Sequence, residues 1–149
     1  MAAPAQKANE MLSLTTAKAL REAGLAWTPQ NLDFFAIPLP EFEGQVFAIN
    51  DMTIMAGTLY GEPAITFHGS VEWALDHRWV GEVIWLPREE QLRDLLEERL
   101  LGEQQPALTL ETSRYGYRCT VAWRDDLLTF EAFEASEAYA AALLHTLLT

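Results

Sequence analysis

His68, Glu72, Asp76 and His77 lie close together in the chain, and their side chains are its best candidates for chemistry. The spacing predicts that Ser70 caps a short helix from Val71 to about His77. Glu72 and Asp76, four apart, would then share one helix face. His68 lies just before the cap and can reach back towards them. Two or three nitrogen and oxygen ligands so placed can hold a divalent ion with an open coordination position, the arrangement of a small metal-dependent hydrolase. The spacing is not the His-Glu-x-x-His of metalloproteases. The competing reading is a solvated helix face with His68 at a strand end.

Other chemistries find less support. Ser70 follows His68-Gly69, but no Gly-x-Ser-x-Gly elbow surrounds it, so it reads as a helix cap. Cys119 is the only cysteine, which excludes an intramolecular disulfide and argues against a thiolate zinc site. It alternates with Val121 and Trp123 and reads as a small buried hydrophobe. The eight glycines are scattered and read as turns and caps, not as a phosphate-cradling loop. The sequence therefore points to no catalytic residue and no cofactor.

Charge says more about partners. Between Glu22 and Arg78 there is no lysine or arginine, while Asp33, Glu41, Glu43, Asp51, Glu62, Glu72 and Asp76 fall in that interval. The formal net charge is −12 and is spread along the chain. A face built from such a segment repels phosphate and attracts cations or basic proteins. No basic face for nucleic acid and no polybasic membrane patch is visible. The apolar runs are far shorter than the roughly 20 residues of a membrane span. Met1 to Glu10 lacks the apolar run of a secretory signal and reads as a disordered leader. A cytoplasmic protein is the expectation.

The elements that must position these groups follow from periodicity. With half its residues apolar, the chain from 11 to 149 is expected to form one domain. A first helix starts near Thr15 or Thr16, buries Leu14, Ala17, Leu20 and Ala23, and stops at Gly24. Strands are expected at Phe34–Ile37, Gln45–Asn50, Thr53–Thr58, Ala64–Phe67 and Glu82–Trp85, with a turn at Tyr60-Gly61-Glu62-Pro63. Pro87 opens a helix that buries Leu92, Leu95, Leu96 and Leu100 and ends at Gly102. Ala107–Thr112, Tyr117–Arg124 and Leu127–Phe133 follow as strands, the last two joined by Asp125-Asp126. Tyr117, Cys119, Val121 and Trp123 face one way in the middle strand. A terminal helix opens at Ser136 and buries Tyr139, Ala142, Leu143, Thr146 and Leu147 on one side. The fold class is α+β: antiparallel sheets packed against about four helices.

Four phrases carry a resemblance: 19–29 (ALREAGLAWTP), 33–38 (DFFAIP), 66–76 (TFHGSVEWALD) and 82–92 (EVIWLPREEQL). Over roughly residues 14–101 the chain resembles a family of small uncharacterised bacterial proteins, some of which carry a label as pilus assembly proteins. The resemblance implies no catalytic residues. An assembly ATPase needs a Gly-Lys-Ser/Thr phosphate loop, and this sequence has none.

Together these readings predict a non-enzymatic interaction or regulatory module that acts on a protein partner the sequence does not name, with a basic partner and a homodimer as further expectations. Glu41, Glu43, Asp51 and Glu62, with Trp73 and Trp79 exposed at the end of the acidic stretch, would form the contact surface. A sharper form of the same reading is an immunity protein or antitoxin that neutralises a basic partner.

Overall fold

The computed structural model describes residues 11–68 and 77–149. The expected Ser70-capped helix, and with it Glu72, Trp73 and Asp76, lies outside the described residues, except that His77 opens a strand instead. Within the stretch read as one domain, contacts gather into two compact units, Ala26–Leu86 and the remainder of the chain.

The 26–86 unit is built from short strands in two antiparallel sheets. The strands are β1 (Phe34–Ala36), β2 (Phe47–Ala48), β3 (Ile54–Leu59), β4 (Glu62–Phe67), β5 (His77–Trp79) and β6 (Ile84–Leu86). Their order is β2-β1-β6 in one sheet and β3-β4-β5 in the other. One-turn 3₁₀ helices at Pro40–Phe42 and Val80–Glu82 join them. The core is aromatic and β-branched: Phe35, Ile37, Phe47, Ile49, Ile65 and Val83 are buried together. Phe35 and Phe47 have ring centroids 5.4 Å apart, and Trp27 stacks on Trp85 at 5.9 Å. Rings are what such short strands need, because each buries far more apolar area per residue than an aliphatic side chain.

Asp33 is part of this core. It is 2% exposed and accepts hydrogen bonds from the Trp27 indole N–H at 2.9 Å and the Gln30 amide at 3.0 Å. A buried carboxylate survives only when such donors replace water. Asp33 therefore belongs to the scaffold, although it sits in the acidic stretch of the sequence.

The other unit holds α1 (Leu14–Glu22), α2 (Glu89–Leu100), a meander of β7 (Leu108–Ser113), β8 (Gly116–Trp123) and β9 (Asp126–Ala132), and α3 (Ala135–Leu148). The described residues thus contain three α-helices, not about four. Ser13, not Thr15 or Thr16, caps α1; its hydroxyl accepts from the Thr16 amide at 3.2 Å. Leu14 is 37% exposed and drops out of the expected stripe, because it is the first residue after the cap and faces away from the core. Glu137 on α3 supports the same helix end, accepting from the Ser13 amide at 2.8 Å and the Thr16 hydroxyl at 2.7 Å. Pro87 stands just before α2 rather than inside it. The Arg88 amide donates to Gln91 Oε1 at 2.9 Å, half of a capping box.

α3 packs against α1, α2, β8 and β9, so it is buried on more than the one side that its sequence suggested. Ala135, Ser136, Ala138 and Ala140 are buried along with Tyr139, Ala142, Leu143 and Thr146. Small residues allow that many neighbours at close range. Arg99 binds the far end of α3 through Thr146, with Nε 2.8 Å from the hydroxyl and Nη2 2.7 Å from the carbonyl, a cation satisfying late carbonyls of a helix.

Candidate functional site

The 26–86 unit is the strongly acidic one. Counting the whole segment, eight acids stand against the single cation Arg78. Glu41 sits on the 3₁₀ turn, Glu43 directly after it, Asp51 in the loop before β3, and Glu62 at the start of β4; all four are exposed. Arg78 lies in β5 and is half-buried, its Nε without a hydrogen-bond partner among the described residues.

β3 occupies one edge of its sheet and is the most open strand of the unit. Asn50 organises its entry: Oδ1 accepts from the amides of Met52 at 2.8 Å, Thr53 at 2.7 Å and Ile54 at 3.3 Å. Its own amide donates to the Ile54 carbonyl at 2.7 Å. This Asx geometry is what a short amide side chain does at a strand end. Tyr60 and Gly61, with φ of 51° and 80°, form the two-residue turn to β4, the mirror-image turn that matches strand twist. Glu62 and Pro63, expected in the turn, belong to β4. Pro63 is tolerated because it lies opposite Thr58, one past the turn-closing Leu59↔Glu62 pair, where a donor would point away from β3.

Trp79 is not on an exposed loop. It lies in β5 opposite Ala64, half-buried, 4.9 Å from the His77 ring, with its amide donating to Glu82 Oε1 at 3.0 Å. Strand pairing, invisible in local sequence, holds it there. His68 is exposed after β4, with Nε2 2.9 Å from Thr66 Oγ1 and its amide donating to the Thr53 carbonyl at 2.7 Å. Among the described residues no group of three His, Cys, Asp or Glu side chains is placed to hold a metal. No helix of the described residues is long and apolar enough to cross a membrane.

Cys119 is fully buried, and burial pushes its thiol from the ordinary 9.0 up to about 11, because a thiolate loses its hydration there. That environment suits packing and opposes nucleophilic use.

A concavity of about 470 Å³ lies at the β7–β8 turn. The sequence reading missed it. Gly116, Glu111, Arg118 and Glu131 line it, with the exposed rings of Tyr115 and Phe133. Arg118 Nη2 stands 3.4 Å from Glu131 Oε1. The available signal was the outward alternation in β8, which places Arg118 between two strands that each present a glutamate.

Compared with protein-family models, curated proteins and solved structures, the chain matches none.

Proposed function

We propose that this chain is a non-enzymatic interaction module that recognises a basic protein through the acidic surface of its 26–86 unit. The observation that supports this reading most is the exposure of Glu41, Glu43, Asp51 and Glu62 in a unit whose one cation is half-buried. An excess of exposed carboxylates raises the rate of encounter with a positive partner and discriminates against negative ones. Among the described residues none of these four side chains makes a hydrogen bond or ion pair that holds the fold together.

The test is retention of partners from native lysate on the immobilised chain, at low and at high salt, beside the triple variant Glu41→Lys, Glu43→Lys, Asp51→Lys. A basic protein held at low salt, released at high salt and lost by the variant supports the reading. An unchanged thermal midpoint shows that the variant is folded. Equal retention by variant and parent refutes it.

A further inference from the structure

We infer that β3 is a docking edge that accepts an extended segment of the partner as an added antiparallel strand. The inference rests on the basic-partner reading above and specifies how the partner is held.

The ladder register defines what the edge offers. Leu59↔Glu62 closes a two-residue turn, and pairing continues through Gly57↔Ala64 and Met55↔Thr66 to the Thr53–His68 bond. Hydrogen-bonded pairs alternate along an antiparallel ladder. The amides and carbonyls of Ala56 and Thr58 therefore point away from β4, and those of Ile54 are already taken by Asn50. An incoming strand can exchange bonds with two consecutive outward residues, a common mode of peptide capture.

β3 lacks the devices that normally protect an edge. From Met52 to Tyr60 the chain has no charge and no proline, and Met55, Ala56, Gly57 and Thr58 are all exposed. Other edges are blunted as natural sheets require. β7 carries Glu111, β9 carries Asp126 and Glu131, and β2, β5 and β6 are three residues or shorter.

Gly57 adds an independent sign. Its φ is not in the left-handed region, and among the described residues a Cβ there would meet nothing within 4 Å. Neither backbone conformation nor internal packing explains a glycine that weakens the strand. Close approach of another backbone or a large side chain does. For a strand bonded to Ala56 and Thr58, the residue facing Gly57 occupies the close, non-hydrogen-bonded position. A ring there can lie over the glycine.

Charge selects the occupant. Asp51 precedes β3, and Glu62 shares a face with Leu59 at its other end. A second copy of this chain, pairing antiparallel, would set acids against acids. A segment of about six residues with a central aromatic and lysine or arginine at both ends is complementary.

The probe is the peptide Lys-Arg-Val-Thr-Phe-Thr-Val-Arg-Lys, titrated into the full chain while amide exchange is followed by NMR. Saturation should slow exchange at Ala56 and Thr58 by at least about tenfold. Gly57→Val should weaken binding while leaving the thermal midpoint unchanged or higher, and Ala56→Pro, which removes an outward donor only, should abolish it. The inference is overturned if the peptide binds without protecting those two amides, or if an analogue with glutamate at both ends binds as well. It is also overturned if the amides are already protected in the free chain, which would mean that the chain itself covers the edge. Poly-lysine separates the two readings. Salt-sensitive binding of poly-lysine without protection by the peptide leaves the acidic surface standing and removes the docking edge. Binding of neither removes both.

Discussion

The meanders β3–β4–β5 and β7–β8–β9 each contain a hairpin closed by two residues of positive φ, Tyr60-Gly61 in one and Arg124-Asp125 in the other. Their glycines differ sharply. At Gly116, with φ +127°, a Cβ would stand 2.6 Å from the Ala132 carbonyl oxygen, so the fold itself demands glycine. Gly57 meets no such demand. Edges differ too: β7 and β9 carry carboxylates, and the outward row Glu111–Arg118–Glu131 crosses all three strands. The inner face of β8 is sealed, with Cys119 and Val121 fully buried under α3. β3 is uncharged and open. One sheet has been finished as scaffold, and the other keeps an unfinished side, which is where recognition can be placed without cost to the core.

The largest expected effect tests the scaffold of the 26–86 unit. Phe35→Ala removes the fully buried ring at its centre and should cost about 3–5 kcal/mol in denaturant unfolding. Next comes the glycine contrast. Gly116→Ala should destabilise by roughly 2–3 kcal/mol, from a forbidden contact and a left-handed φ. Gly57→Val should be neutral or stabilising in the same assay. Equal losses at the two positions would break the distinction between the sheets.

Cys119 provides a pH test of the sealed face. Its folded pKa is raised above the unfolded value, so the stabilising contribution is complete below about pH 9 and is lost as pH rises towards 11. The loss should be on the order of 1–3 kcal/mol across that window. Cys119→Ala should flatten that part of the profile, and the native thiol should resist alkylation at neutral pH. Burial also raises the pKa of Tyr139 on α3, so the phenol adds to the decline in the same direction.

Glu137→Ala should cost about 1 kcal/mol by thermal unfolding, because it removes the acceptor for the Ser13 amide and the Thr16 hydroxyl. Smallest is Arg118→Ala, at about 0.5 kcal/mol or less, since its ion pair with Glu131 is exposed on both sides. A larger loss would mean that the outer face of β7–β9 is less solvated than its exposure indicates.

Local pattern alone made several elements legible. The alternation from Tyr117 to Trp123 specified both the strand and its buried face. The leucines of α2, with Pro87 before them and Gly102 after, specified a helix and nearly its ends. The absence of cations between Glu22 and Arg78 was visible without any fold. Other features depend on partners distant in sequence. The Asp125-Asp126 turn moved by one residue because Trp123 pairs with Asp126. Trp79 lies in a strand and not on a loop because β5 pairs with β4. Asp33 left the surface because the Trp27 indole reaches its carboxylate.

Composition and periodicity thus determined an acidic α+β protein, since charge and side-chain period are properties of the chain itself. Which acids face water, which strand remains an open edge and which glycine is indispensable were decided only by tertiary structure. Each depends on groups brought together from remote positions, where burial and hydrogen-bond geometry, not local preference, set the outcome.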